Sequence, residues 1–245
     1  NLSSDLLIID RLGNIKKQNI MKLRKKHKKI ILIDDGSNYR NLADLSLNPL
    51  KILKKKGDKN YVGYKYNILP SLIKKHKTEP NSSKTIFLFF GGYDHKKLML
   101  KILKNLKKIN LRFKILISEK YKQVIKKENV MKVEFYKNKD HYKNLIKSEI
   151  TITSGGLAMF DSIFFNKFTI CFPQYKHQAK NINILCKKKV ITKMNLDNLH
   201  KIIYIIFFYY KNKREKKIIQ KKQKKIINSK LMLRTLNLIY KCYEK

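Results

Sequence analysis

The residue types and spacings suited to chemistry fall at three places in this chain. Gly91-Gly92 directly follows the apolar, β-rich run 85–90 and precedes a segment of helical spacing from about residue 96. A glycine pair there lets backbone N–H groups at a helix start approach an anion, and it serves equally well as a plain tight turn. Ser154-Gly155-Gly156 repeats the arrangement after the run 150–153 and opens a helix expected over 157–165. Asp161, about a turn and a half into that helix, either accepts hydrogen bonds from ribose hydroxyls or is a helix-surface carboxylate near the positive dipole end. After the run 168–172 come Pro-Gln-Tyr-Lys-His-Gln-Ala-Lys-Asn, which put His177, Gln178 and Asn181 at the start of a further helix. His177 is either a solvated loop residue or a contact for a phosphate or sugar, and it is the one catalytic candidate in the group. No His, Cys, Asp or Glu grouping has metal-ligand spacing, so neither a metal nor a cofactor is expected.

Such residues must be carried by a scaffold. Short apolar runs at 6–9, 30–33, 85–90, 113–117, 130–135, 150–153 and 168–172 alternate with amphipathic segments. That alternation predicts an α/β fold with parallel sheets and crossover helices. In the segment 96–106, Leu98, Ile102, Leu103 and Leu106 share one face. Ligands of open α/β sheets sit outside the carboxyl ends of the strands, so both glycine turns and the His177 group are expected to line one anion site.

A polar stretch around Pro80 reads as a linker at 77–83. It separates a partial N-terminal unit over 1–76 from a second unit over 84–210. The first offers about two clear strands and a short run at 42–47, so it is expected to lack its opening strands. Residues 211–245 are expected to form basic C-terminal helices, since nine of the fifteen residues 211–225 are Lys or Arg and apolar positions continue at helical spacing to Ile239.

The chain has 245 residues and a formal net charge of +41. Its 58 basic residues are nearly all Lys, whereas phosphate and base recognition favours the planar fork of Arg. Lys, Ile and Asn together are the residues of A/T-rich codons, so no specific nucleic-acid partner is expected. The basic C-terminal stretch has either a solvated face or a face resting on anionic lipid. The longest apolar run, 202–210, falls far short of the ~18 residues that span a bilayer. Three cysteines without metal-ligand spacing suit a reducing cytosol, so a cytoplasmic location is expected, at the inner face of the membrane if the lipid contact forms. Cys171, within an apolar run, reads as a buried small hydrophobe rather than a nucleophile.

The order of motifs resembles a known family. Phe-Gly-Gly-Tyr-Asp (90–94), Ser-Gly-Gly-Leu-Ala-Met-Phe-Asp (154–161) and His-Gln-Ala-Lys-Asn (177–181) look like the C-terminal nucleotide-sugar domain of GT-B enzymes. The similarity is to the PseG and SpsG-like UDP-sugar hydrolases of pseudaminic acid biosynthesis, with MurG-type glycosyltransferases more distant. Leu-Leu-Ile-Ile-Asp (6–10), Ile-Leu-Ile-Asp-Asp (31–35), Ala-Asp-Leu-Ser-Leu-Asn (43–48) and Gly-Tyr-Lys-Tyr-Asn-Ile-Leu (63–69) resemble the later half of that family's N-terminal domain.

The resemblance implies that Gly91, Gly92, Ser154, Gly155 and Gly156 hold a diphosphate, that Asp161 binds ribose, and that His177, Gln178 and Asn181 approach the sugar or phosphate. The partner so implied is a UDP-sugar. The family usually carries Glu at the position of Asp161 and Gly-x-Pro where this chain has Asn166-Lys167-Phe168. Its Gly-x-Gly-His loop has no counterpart in the sequence, and His27, the earliest histidine, reads as the end of a Lys-rich helix. The expected function is hydrolysis of the sugar–UDP bond, the alternatives being MurG-type transfer from a UDP-sugar donor or a truncated, non-catalytic binder.

Overall fold

A computed structural model describes residues 3–50, 53–54, 57–68, 84–106, 113–127 and 133–244. The chain divides into two compact units, residues 1–69 with 228–245, and residues 70–227. The expected linker at 77–83 lies outside the described residues.

The first unit is a four-stranded parallel sheet in sequential order: β1 (Ser4–Gly13), β2 (His27–Asp35), β3 (Leu45–Asn48) and β4 (Asn60–Val62), with α1 (Lys17–Arg24) between the first two. The run Ile30-Ile31-Leu32-Ile33 shows why β2 is central. Side chains alternate across a strand, and here both sets are buried. Ile30 and Leu32 pack with Ile15, Ile20 and Ala43, while Ile31 and Ile33 pack with Leu45 and Leu47. A strand covered on both faces reads as one apolar run. His27 opens β2 instead of ending α1, and the three-residue β4 falls where no strand was expected.

The second unit holds β5 (Thr85–Phe89), α2 (Leu98–Leu106), β6 (Lys114–Ser118), α3 (Lys122–Lys127), β7 (Val133–Tyr136), α4 (His141–Lys147), β8 (Ile150–Thr153), α5 (Leu157–Phe164), β9 (Phe168–Cys171), α6 (Lys176–Lys187), β10 (Thr192–Lys193), α7 (Ile202–Lys211) and α8 (Lys213–Ile226). Its six strands are parallel in the order β10-β9-β8-β5-β6-β7. The chain runs outward from β5 to β7, then returns to β8 on the other side of β5 and runs outward again. This doubly wound order puts a topological switch between β5 and β8. Leu98, Ile102, Leu103 and Leu106 of α2 bury the face expected of them, and Ile202, Ile206 and Tyr209 of α7 close the same core.

Residues 211–245 do not form one appendage. Helix α8 belongs to the second unit, and α9 (Ser229–Glu244) lays Leu238, Ile239 and Cys242 against Ile31, Ile33, Leu45 and Leu47 of the first. The inner face of α8 is partly polar. Lys216 pairs with Glu149 and lies 6.0 Å over the Tyr209 ring. Gln223 is fully buried, its amide donating to the carbonyls of Lys167 (2.8 Å) and Val190 (2.9 Å). Lys167 is itself buried, donates to the Ile146 carbonyl and has its pKa pulled down to about 8 by desolvation. Asn166, where resembling sequences carry glycine, has φ of 56°, a conformation Asn tolerates better than most residues. Cys171 is buried with its thiol pKa pushed up, in keeping with a small hydrophobe.

The Gln223 bridge makes a stability prediction. Gln223→Leu keeps the helix but takes a donor from two buried carbonyls; that of Lys167 keeps the Thr169 hydroxyl at 3.0 Å, so the cost, about 1–3 kcal/mol, falls mainly at Val190. Urea unfolding should show a lower midpoint for the variant, and an unchanged midpoint would mean the bridge contributes nothing.

Candidate functional site

The loop after β5 begins with Gly91, whose φ of 77° requires glycine or a residue tolerant of the left-handed region. Gly92 follows, and a side chain built on either would meet nothing within 4 Å. Both turn carbonyls are held from one side by the Lys120 ammonium, at 2.5 Å from Gly91 O and 3.1 Å from Gly92 O. In a trans peptide the N–H points opposite to the carbonyl, so Lys120 turns the N–H groups of Gly92 and Tyr93 the other way. Helix α2 does not supply the anion site expected at its start. Asp94 already occupies that end, its two carboxylate oxygens accepting from Leu98 N (2.9 Å) and Met99 N (2.8 Å).

The turn after β8 differs in its physics. A methyl on Gly155 would lie 2.8 Å from the Gln178 carbonyl and 2.9 Å from Ile182 Cδ1, so glycine is needed there for α6 to pack. Gly156 is the N-cap of α5, and Gln178 Nε2 lies 3.8 Å from where its Cβ would be. Ser154 is buried beside it. The loop after β9 reaches back across this turn. Gln174 Nε2 donates to Phe90 O (3.1 Å) and its backbone N–H donates to Gln178 Oε1 (2.9 Å), which knits the ends of β5, β8 and β9 together. The N-cap residues of α5 and α6, Gly156 and Tyr175, make no side-chain cap hydrogen bond. Two positive dipole ends therefore stand beside the Gly91-Gly92 turn, an arrangement that accommodates an anion bearing more than one charge.

His177 stacks on Tyr175 (5.6 Å between centroids, 8° between planes) at the end of a row of rings: Tyr93–His95 are 4.3 Å apart and His95–Tyr175 5.1 Å. Gln178 and Asn181 are both buried, Gln178 in the loop lacing and Asn181 one turn into α6. Asp161 is not the helix-surface carboxylate that its position in the sequence allowed. It is 4% exposed, accepts from the Tyr142 hydroxyl at 3.4 Å, and burial raises its pKa to about 7. Next to Tyr142, His141 packs among Phe87, Phe89 and Tyr136, where burial and then Lys120 depress its pKa to about 4 and keep it neutral. Contacts thus run from the Gly91 turn through Lys120, His141 and Tyr142 to Asp161.

Sequence reasoning missed Lys120, Gln174, His141 and Tyr142. The Lys-Asp-His-Tyr run 139–142 after a strand was a usable signal, whereas Lys120 and Gln174 act on residues 29 and 84 positions away. Among the described residues no group of three His, Cys, Asp or Glu could hold a metal ion.

No protein-family model matches the chain. An uncharacterized protein of Methanocaldococcus jannaschii is 29% identical over 221 residues, an alignment covering 80% of this chain and 46% of that protein. The chain thus spans about half the length of the curated relative it matches. MurG of Acinetobacter baumannii superposes with a TM-score of 0.56 at 11% identity, covering 96% of this chain and 66% of that one. A candidate UDP-N-acetylglucosamine 2-epimerase of Listeria monocytogenes gives 0.62 at 11% identity, covering 98% and 75%. These likenesses show the fold: two parallel-sheet α/β units as in GT-B glycosyltransferases.

The two glycine turns should separate in stability. Gly155→Ala pushes a methyl into the α6 backbone and is expected to cost about 1–3 kcal/mol, whereas Gly92→Ala faces open space and should melt within a degree or two of the parent. Equal melting temperatures would contradict the packing described.

Asp161 gives a pH signature. Its pKa rises from 3.8 to about 7 on folding, so the folded state holds the proton more tightly and stability falls as pH rises from about 4 to about 7. Asp161→Asn removes that slope. In urea unfolding the variant should gain on the parent toward pH 8, by on the order of 4 kcal/mol at most, with the gap closing toward pH 4. Parallel curves would refute the buried carboxyl.

Proposed function

We propose that the carboxyl ends of β5, β8 and β9 bind the diphosphate of a nucleotide-sugar, and that this chain serves cleavage of the bond between sugar and diphosphate. One observation carries the reading. Two helix N-termini whose N-cap residues make no side-chain cap hydrogen bond stand beside a glycine turn whose N–H groups are turned away from Lys120, all at the switch point of a doubly wound sheet. A diphosphate has the charge and length to use all three sets of donors. As the anomeric bond breaks, negative charge grows on the departing diphosphate. Fixed N–H dipoles stabilise that charge more than they stabilise the ground state.

The other roles follow from position. Asp161, with a pKa near neutrality, can both donate to and accept from a pair of ribose hydroxyls. The amide of Gln178 beside Gly156 and the ring of His177 reach the sugar side, and His177 is the group in this cluster suited to take a proton. A UDP-sugar is the partner that the motif order supports. Hydrolysis of the sugar–UDP bond, as in PseG-like enzymes, is the first reading. Transfer to an acceptor is the second, favoured by the structural likeness to MurG.

Calorimetry with UDP tests the site. Gly92→Val adds bulk where the protein leaves open space, so it should weaken UDP at least tenfold while leaving the ligand-free melting temperature in place. UDP at one hundred times its Kd should stabilise the parent by about 2.7 kcal/mol. Undiminished UDP affinity in Gly92→Val would remove the site from this turn. UDP release from a panel of UDP-sugars, with and without an alcohol acceptor, separates hydrolase, transferase and non-catalytic binder.

A further inference from the structure

Helix α7 reads Ile-Ile-Tyr-Ile-Ile-Phe-Phe-Tyr-Tyr-Lys, apolar on every side, a pattern that ordinarily means burial all round. Only one side is buried. Ile202, Ile206 and Tyr209 join the core, while Tyr204 is 70% and Phe208 49% exposed. The two exposed rings lie 6.3 Å apart along the helix. At 3.6 residues per turn, Lys201, three residues before Tyr204, and Lys211, three after Phe208, fall on the same stripe, and both are exposed. The order along that stripe is lysine, aromatic, aromatic, lysine, over roughly 15 Å. Where α7 meets α8, Phe207, Asn212 and Lys213 join Tyr204, Phe208 and Lys211 in lining a groove of about 560 Å³. None of these lining residues is acidic.

We propose that this stripe and groove form a contact surface for an anionic lipid bilayer, with Tyr204 and Phe208 in the interfacial layer and Lys201, Lys211 and Lys213 on headgroup phosphates. A solvent-exposed Phe is unfavourable in water and gains only where an apolar phase is offered. Lysine stems on either side can lie along that phase while their ammonium groups stay with the phosphates. Aromatic residues at the boundary and lysines around them are what an in-plane helix needs. Helix α7 lies on such a surface and does not cross it; no helix among the described residues is long and apolar enough for that. Single-stranded nucleic acid fits the lysines and stacks bases on such rings, but the stripe lacks the Arg fork suited to phosphates and bases, and the RNA comparison below separates the two. The inference is independent of the nucleotide-sugar reading.

A formal charge of +41 draws the whole chain toward any polyanion, so the decisive variant must leave charge untouched. The full chain is sedimented with phosphatidylcholine vesicles with and without phosphatidylglycerol. The parent should bind the mixed vesicles, release in high salt and ignore phosphatidylcholine alone. The double variant Tyr204→Ser with Phe208→Ser, altered at exposed positions, should keep its circular dichroism and melting temperature yet bind mixed vesicles roughly tenfold more weakly. Lys201→Gln, Lys211→Gln and Lys213→Gln together should weaken binding about fivefold per lysine. The same change at Lys17 and Lys22 of α1 and at Lys25, its C-cap, should weaken it far less. Three results would overturn the proposal: parental binding by the aromatic variant, an α1 triple variant as weak as the α7 one, or an aromatic variant that loses single-stranded RNA while keeping vesicles.

Discussion

A hydrogen atom is all that the Cα of Gly155 has room for. With the Gln178 carbonyl 2.8 Å from where a methyl would be, α6 packs directly on the turn after β8, and its N-terminus comes to lie beside that of α5. Two positive dipole ends held side by side repel each other. The fold accepts this because the helices are fixed elsewhere, by Ile182 and Leu185 of α6 and by Met159, Phe160 and Ile163 of α5 in the core. On the proposed reading, the diphosphate would relieve that repulsion. The glutamines complete the arrangement by tying the loop after β9 to Phe90 and by giving the turn after β8 a polar neighbour.

Much of this scaffold was legible in the sequence. A parallel strand buried on both faces reads as a nearly continuous apolar run, and a glycine after it marks a tight turn; residues 85–92 show both signals, whereas 150–156 pairs its glycines with the β-branched alternation Ile-Thr-Ile-Thr. Asn60–Val62 was not legible, because three residues are too few to show a period. The basic tail was misleading for another reason. Lysines dominate its composition, but Leu238, Ile239 and Cys242 decide where α9 goes, and the surface they fit is made by residues near 31–47. In the site, the glycines announced themselves while their supports did not. Lys120 and Gln174 are ordinary surface residue types until the sheet brings Gly91 and Phe90 to them. Asp161 could be seen as a carboxylate near a helix start, but its burial depends on Tyr142 from the neighbouring α4.

Lysine serves three distinct purposes here, although composition presents it as a single excess. Lys120 organises a turn by its three donors. Lys167 and Lys216 are drawn inside at the opposite end of the strands, the first donating to a carbonyl and the second balanced by Glu149. Others lie at the surface, some in ion pairs such as Lys28 with Asp5 and Lys114 with Glu134. A sequence so rich in lysine must still pick a few lysines to bury, and Lys167 and Lys216 each have a carbonyl or carboxylate in reach.

The return of α9 to the first unit bears on how the chain comes off the ribosome. The face of β2 and β3 made by Ile31, Ile33, Leu45 and Leu47 is synthesised well before its cover, Leu238, Ile239 and Cys242. The nascent first unit must wait with an apolar sheet face open while some two hundred residues are added, at ~5–20 residues per second. The second unit carries its own core and can close before α9 emerges. Vectorial synthesis therefore nests one unit within the other: the first unit is begun before the second and completed after it.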